Sequence, residues 1–324
     1  MKVTILGAGT WGVALARCLY RNGHTVTVWS ALPQEIEQLQ ATKQHPNLPN
    51  VTLTGMTFSG DIGVCNGAQM LIFAVPSIYV RATAQKVKAV LSGRPVVVDA
   101  AKGLERDTLK SMTEILEDEL GYPAVALSGP THAEEVARDL PTSIVSASSD
   151  PAAAEAVQQA FEGSCLRVYT NRDVKGVELC GALKNIVALA TGVSQGLGFG
   201  DNTKAAIITR GMAEITRLGM KMGCQESTFF GLAGIGDLIV TATSQHSRNN
   251  RAGQLIGKGY TAQQACEEVG MVVEGLNALP AAVLLAKRLE VELPIIEALH
   301  SVVNHGVAPL DMVHHLMART TGEE

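Results

Sequence analysis

The chain predicts an α/β protein, with an N-terminal Rossmann-type domain on a parallel sheet followed by an all-helical C-terminal domain. Three observations predict it. A short apolar run, Lys2–Leu6, leads directly into Gly7-Ala8-Gly9-Thr10-Trp11-Gly12. Val/Ile-rich runs without polar alternation then keep alternating with helix-like segments, the pattern of a parallel sheet covered on both faces. Beyond residue 172 only helical periodicity remains. The expected division is a dinucleotide-binding domain over residues 1–172 and a helical substrate domain over residues 173–324.

The first elements carry the most information. Lys2–Leu6 reads as a strand, Val13 to Tyr20 as a helix, and Thr25–Trp29 as a second β-branched strand. That is strand, Gly-x-Gly-x-x-Gly turn, helix and strand within about thirty residues. In such a unit the first glycine permits the tight turn and the second admits a pyrophosphate. The third lets the helix pack closely on the sheet. The helix N-terminus then faces the phosphates with free N–H groups and a positive dipole end. A nicotinamide dinucleotide is the ligand this arrangement predicts.

Its 2′-position is left open. An NAD-type site places Asp or Glu at the end of the second strand, on the ribose 2′-hydroxyl. Here the strand ends in Trp29-Ser30-Ala31, and the nearest acid is Glu35. No Arg or Lys suited to a 2′-phosphate appears before Lys43. Ser30 is small and can offer a hydrogen bond to either cofactor, so the segment predicts dual use of NADH and NADPH.

Further strands are expected over residues 70–75, 95–99, 124–127 and 142–146, with helices over 77–91 and 108–120. The second half predicts helices over 174–193, 202–222, 227–243, 262–270, 275–289, 294–305 and 309–318. The glycine-rich stretch 192–200 reads as a loop between two core helices, and the polar run 244–251 as a loop between helices.

Composition narrows the function classes. Aromatic residues make up only 4 % of the chain and the net charge is −5, which argues against a nucleic-acid surface or an anionic membrane as partner. No uncharged apolar run reaches the roughly 20 residues of a membrane helix. The six cysteines show no Cys-x-x-Cys pair and read as reduced thiols of a cytosolic protein. The eight histidines are scattered except for His314-His315, read as the polar face of a last helix, so no metal is expected. With the first strand starting at residue 2, no targeting segment is expected either.

Ligands of such a sheet bind where strands end. One strand leads into Ala100-Ala101-Lys102-Gly103, another into Ser128-Gly129-Pro130-Thr131-His132-Ala133. Lys102 is a cation beside a glycine where nicotinamide and substrate are expected; a solvated loop lysine is the plain alternative. Thr131 can bind a polar group or simply cap the next helix. In the helical half, Lys184-Asn185 lies in an otherwise apolar stretch. A buried ammonium is strongly disfavoured unless paired or needed, and burial of an amine favours its neutral form, which suits acid–base work. The alternatives are a lysine that snorkels to the helix edge or pairs with Glu178. Asp237 is the one acid in the apolar run 229–240 and an available partner for Lys184. Ser247-Arg248-Asn249 combines a guanidinium fork with neutral donors, chemistry suited to a phosphate. On composition alone a solvated loop is the preferred reading of those residues.

Taken together, Gly7 to Gly12, Ala74-Val-Pro-Ser77, Ala101-Lys-Gly103 and Ser128 to Glu135 resemble the bacterial NAD(P)-dependent glycerol-3-phosphate dehydrogenases. So do Gly176 to Ile186, Gly231 to Asp237, Ser247-Arg-Asn249 and Val272-Val-Glu-Gly275. The resemblance implies a cytoplasmic enzyme that reduces dihydroxyacetone phosphate to sn-glycerol 3-phosphate for phospholipid synthesis. It implies Lys184 as the catalytic proton carrier, oriented by Asn185 and Asp237. It implies substrate contacts at Lys102, Gly129, Thr131, Lys184, Asp237, Ser247, Arg248 and Asn249. Gly7, Gly9, Thr10, Trp11, Gly12, Lys102, Ala133, Arg248, Val272 and Glu274 are the implied contacts to NAD or NADP. A homodimer is compatible with it, and no nucleic acid or membrane partner is implied. Two rival readings remain: a related dehydrogenase of another acid or hydroxyacyl substrate, since one architecture hosts several chemistries, and a non-catalytic dinucleotide sensor.

Overall fold

A computed structural model describes residues Met1 to Arg319. Eight strands form one sheet: β1 (Lys2–Leu6), β2 (Thr25–Trp29), β3 (Thr57–Ser59), β4 (Met70–Phe73), β5 (Val96–Asp99), β6 (Val125–Ser128), β7 (Thr142–Ala147) and β8 (Leu166–Asn171). Their spatial order is β3-β2-β1-β4-β5-β6-β7-β8. The first six follow the Rossmann order, in which the crossover from β1 to β4 opens a crevice at the strand ends. All pairs are parallel except β6 with β7, so the sheet is the parallel one expected, with a single antiparallel pair near its edge.

The helices of this unit are α1 (Thr10–Arg21), α2 (Pro33–Thr42), α3 (Val80–Val90), α4 (Met112–Leu120), α5 (Ala133–Val136) and α6 (Pro151–Phe161). They explain why the strands read as continuous apolar runs. Val3, Ile5, Val26, Val28 and Ile72 pack with α1 and α6 on one face. Leu6, Leu71, Phe73 and Val97 pack with α3 and α4 on the other. β8 alternates buried and exposed residues, Leu166 and Val168 in, Arg167 and Tyr169 out, which fits an edge strand. It was not expected from the sequence, nor was the three-residue β3.

The remaining helices are α7 (Val174–Gly196), α8 (Asp201–Lys221), α9 (Glu226–Phe229), α10 (Asp237–Thr243), α11 (Arg248–Gly257), α12 (Ala262–Val269), α13 (Glu274–Leu289), α14 (Pro294–His305) and α15 (Pro309–Met317). The chain divides into two compact units: Met1–Lys102 with Lys110–Glu178, and Gly103–Leu109 with the residues from Leu179 onward. The excursion 103–109 contributes Leu104 and Leu109 to the helical core. That excursion also corrects the expected helix over 108–120. The segment Ser111-x-x-Glu114 is a capping box that starts α4 only at Met112.

Two corrections concern glycine. The stretch 192–200 is not all loop, because α7 continues to Gly196. A Cβ on Gly192 would meet the Asn250 carbonyl oxygen at 2.1 Å, and one on Gly196 the Gln254 carbonyl oxygen at 2.2 Å. From the facing side, Gly253 and Gly257 approach the carbonyls of Leu189 and Val193 as closely. Pairs of glycines four apart let the backbones of α7 and α11 touch, a packing that in a sequence looks like loop composition. The run 244–251, read as loop, accordingly contains the start of α11. By length and apolar content α7 could cross a membrane, but 94 % of its apolar window is buried within the protein. His314 and His315 are exposed on α15, as expected.

Candidate functional site

The glycine turn is built for close approach. Gly7 has φ +125°, donates its N–H to the Trp29 carbonyl at 2.8 Å, and leaves no room for a Cβ, which would meet Ala74 backbone at 2.7 Å. A Cβ on Gly12 would lie 2.1 Å from the Gly7 carbonyl oxygen, so α1 could not pack there with any other residue. Gly9 is the contrast. A Cβ there meets nothing within 4 Å, and as the N-cap of α1 it brings no side chain to the first N–H groups. Free N–H groups and a dipole end, approached over a residue without a side chain, fit a dinucleotide pyrophosphate.

The segment after β2 adds residues the sequence did not single out. Asn47 donates to the Thr10 hydroxyl at 3.2 Å. His45 hydrogen-bonds the backbone of Ala8; burial holds its imidazole below the ordinary pKa, and the Glu35 carboxylate nearby only partly offsets this. Ser30 is buried and donates to Glu35 Oε2 at 2.6 Å while accepting from the Leu32 N–H at 3.1 Å. Its hydroxyl proton is thus committed, contrary to the expectation that Ser30 offers a hydrogen bond to the cofactor. Lys43 lies with its ammonium 5.3 Å from the Phe58 ring centroid. Trp11 packs against the sheet core.

The other strand ends of this unit hold the remaining predicted groups. Asp99, buried at the end of β5, accepts from the Ala101 N–H at 3.1 Å and shapes the turn that presents Lys102. Lys102 donates to the Gly129 carbonyl at 3.0 Å, and Thr131 donates to the same oxygen at 2.9 Å. Gly129 has φ +155°, and a Cβ there would crowd Ile144 at 3.1 Å. Ala133 is buried as the first residue of α5. Lys102, Gly129 and Thr131 therefore form one local cluster.

In the helical unit, Lys184 is buried on α7 and its ammonium donates to Asp237 Oδ1 at 2.5 Å and to Thr241 Oγ1 at 2.7 Å. Asp237 comes from a broken run. The expected helix over 227–243 is interrupted by a wide π-type turn, Leu232–Gly236, after which Asp237 opens α10. A Cβ on Gly234 would meet the Phe229 carbonyl oxygen at 2.1 Å, so glycine is what allows the turn. Thr241 sits one helical turn beyond Asp237, on the same face. Asn185 does not join this pair. Its amide donates to the Gly181 carbonyl and accepts from Asn249 at 3.0 Å, which corrects the expectation that it orients Lys184.

Ser247 is the N-cap of α11, its hydroxyl accepting from the Asn250 N–H at 3.2 Å. Arg248 is the first helical residue and is half-buried. Asn249 bridges three elements: it donates to Asn185 on α7 and accepts from the Gly275 N–H at 2.8 Å, in the first turn of α13. That bond ties the first turn of α13, which Glu274 opens, to the start of α11. Arg248 at a helix N-terminus unites two anion-binding devices, a guanidinium fork and a dipole end.

Two buried glutamates do structural work. Glu178 accepts from Ser111 Oγ at 2.6 Å, from the Thr113 N–H at 2.8 Å and from the Thr113 hydroxyl, capping the start of α4. Glu214 accepts from the N–H groups of Ile295 and Ile296 at the start of α14. Burial pushes both carboxyls up to about 7. Glu178 is therefore not the partner of Lys184 that one alternative supposed. Among the described residues, no three His, Cys, Asp or Glu side chains gather as a metal would require.

Sheet order, glycine turn and helical second unit define the class of two-unit, Rossmann-type nicotinamide oxidoreductases. Within that class, residues 2–154 match the family model of the NAD-dependent glycerol-3-phosphate dehydrogenase N-terminus, and residues 173–314 that of its C-terminus. The chain belongs to the NAD-dependent glycerol-3-phosphate dehydrogenase family. It is 54 % identical to glycerol-3-phosphate dehydrogenase, NAD(P)+, 2 of Lactobacillus delbrueckii subsp. bulgaricus, over 100 % of this chain and 98 % of the relative. Identity to the Bacillus subtilis glycerol-3-phosphate dehydrogenase, NAD(P)+, is 48 % over 98 % and 94 %. A crystal structure of glycerol-3-phosphate dehydrogenase from Coxiella burnetii superposes with a TM-score of 0.94 at 35 % identity, covering 98 % of this chain and 99 % of that one.

Proposed function

We propose that this chain reduces dihydroxyacetone phosphate to sn-glycerol 3-phosphate, and catalyses the reverse oxidation, with a nicotinamide dinucleotide. The observation that carries the reading is Lys184, an ammonium buried in an apolar helix and held by Asp237 and Thr241. Gly7, Gly9, Thr10, Trp11, Gly12 and Ala133 would hold the cofactor on the sheet unit; Arg248, Val272 and Glu274 are assigned to it on the helical unit. Bound there, the reduced nicotinamide supplies the hydride.

The residues of the chain do the rest. As the C2 carbonyl of the ketone is reduced, negative charge grows on its oxygen, and Lys184 donates a proton to that atom; in oxidation Lys184 takes it back. Asp237 and Thr241 fix the position of the ammonium, so no reorganisation is needed when charge develops. Arg248 binds the phosphate at the N-terminus of α11, with Ser247 and Asn249 completing the assigned contacts. Holding the phosphate fixes the carbonyl. Lys102, with Gly129 and Thr131, is assigned a second positive, polar contact to substrate.

The same reading carries a cytoplasmic location and a supply of glycerol phosphate to phospholipid synthesis. Light scattering in solution determines whether the working species is a homodimer. The activity test is oxidation of NADH and NADPH followed by absorbance with dihydroxyacetone phosphate, unphosphorylated dihydroxyacetone and a panel of 2-keto acids. Efficient turnover of the phosphorylated ketone alone is expected. Equal turnover of its unphosphorylated form, or turnover confined to a keto acid, would remove the reading.

A further inference from the structure

The end of β2 decides which dinucleotide a Rossmann unit takes, and here the chain brings an acid back to a place where its sequence has none. Ser30 directly follows β2, whose last residue, Trp29, pairs with Leu6 and accepts the Gly7 N–H. The glycine turn and Ser30 are therefore fixed to the same strand ends. Glu35, in the first turn of α2, reaches back and accepts the Ser30 hydroxyl proton at 2.6 Å. The Leu32 N–H holds the Ser30 oxygen from the other side. A half-buried carboxylate is thus clamped beside the end of β2, with lone pairs left to accept further hydrogens.

The charges around it point one way. From Trp29 to Gly60 the only Lys or Arg is Lys43, and its ammonium lies over the Phe58 ring. His45 lies close enough to Glu35 to feel its charge, and burial holds the imidazole below its ordinary pKa. Ala31 and Leu32 carry no charge. A ribose 2′-hydroxyl would find an acceptor at this place, while a 2′-phosphate, carrying nearly two negative charges at neutral pH, would meet the carboxylate with no Lys or Arg among residues 30–42 to offset it.

We propose that Glu35, clamped by Ser30, is the residue that sets cofactor choice, and that it makes this enzyme prefer NADH to NADPH. The inference rests on the dinucleotide reading above and goes beyond it by naming the cofactor and the group that selects it. It narrows the dual use that the sequence alone predicts to a preference between the two cofactors. A hydrogen bond to a charged group corresponds to a discrimination on the order of ten- to a hundredfold, and like-charge repulsion adds to it.

Direct binding tests this without turnover. Dissociation constants of NADH and NADPH are measured by fluorescence titration, and those of AMP and adenosine 2′,5′-bisphosphate by calorimetry, on wild type, Glu35→Gln and Ser30→Ala. The wild type should bind NADPH at least about thirtyfold more weakly than NADH, with a gap that narrows as salt is raised. Glu35→Gln should bring the two within about threefold, chiefly by tightening NADPH, and the bisphosphate should follow NADPH. Ser30→Ala, which unclamps the carboxylate, should weaken NADH several-fold while NADPH changes less. A wild type that binds both dinucleotides within about threefold, or a ratio unmoved by Glu35→Gln, would overturn the proposal and leave the dinucleotide reading intact. If wild type binds neither dinucleotide, that reading falls and this proposal with it.

Discussion

Replacing Lys184 by Ala perturbs two properties that the structure allows to be separated. The ammonium is 2.5 Å from Asp237 Oδ1, with side-chain exposures of 7 % and 1 % for the pair. Removing it leaves the Asp237 carboxylate buried without its cation, a change that costs about 3–5 kcal/mol of stability. Losing a positioned proton donor should also cost on the order of 10²–10⁴ in kcat. A slow variant could thus be merely a damaged one, so a double variant is needed. Lys184→Met with Asp237→Leu replaces the ion pair by apolar groups of similar branching and reach, and such replacements are neutral or stabilising by about 1–4 kcal/mol when they pack well. The double variant should therefore recover stability in urea unfolding, bind NADH normally by fluorescence, and remain as slow as Lys184→Ala with dihydroxyacetone phosphate. A single variant with kcat within about threefold of wild type, or a double variant that regains turnover, would refute the role of Lys184 as proton carrier.

Other outcomes follow from the same geometry. Arg248→Ala should raise KM for the phosphorylated ketone steeply, and Arg248→Lys should repair it only in part because lysine lacks the planar fork; steady-state kinetics with both variants checks this. Gly9→Ala should unfold like wild type, since its Cβ meets nothing within 4 Å, yet lose NADH affinity by the bulk it places at the phosphates. Gly12→Ala, whose Cβ would clash with the Gly7 carbonyl, should instead lose several kcal/mol of stability by overpacking, about 1–3 or more; thermal unfolding and titration of both variants give the comparison. Glu214 has its carboxyl raised from 4.5 to about 7 by burial, so its ionisation is disfavoured in the folded state. Below about pH 4.5 it is protonated whether folded or not, and stability falls as pH rises through 7, by up to about 3 kcal/mol. Glu214→Gln should therefore gain on wild type between pH 5 and pH 8 in paired urea titrations; a difference that is flat, or that moves toward wild type, contradicts the assignment.

Much of this protein was legible in the sequence because the signals are local. Gly7, Gly9 and Gly12 each answer a steric demand set within a few residues and the next strand. Apolar runs declare strands covered on both faces, and periodic apolar residues declare helices. A lysine in an apolar helix declares itself expensive, and so points to a partner and a task. Where periodicity was weak the reading failed: β3 has only three residues, and β8 is an edge strand read past for want of a continuous apolar run. The start of α11 has the polar composition of a loop at Ser247-Arg248-Asn249, although Ser247 is its cap.

What the tertiary structure decided was which distant groups meet. No spacing rule says that Gly192 and Gly196 face Gly253 and Gly257, because close helix contact is a property of two surfaces and glycine alone reads as a break. Nothing in the order of residues shows that Asn185 bonds Asn249 while its neighbour Lys184 bonds Asp237; successive residues on a helix point about 100° apart, so adjacency in sequence is divergence in space. Glu35 is the clearest case. Five residues past β2 it lies outside the position where an acid is sought, and only the turn into α2, closed by the Ser30 hydroxyl, returns its charge to the strand end. Sequence fixes which groups are present and the local elements that carry them. Folding decides which of them share a low-dielectric neighbourhood, and there the chemistry is set.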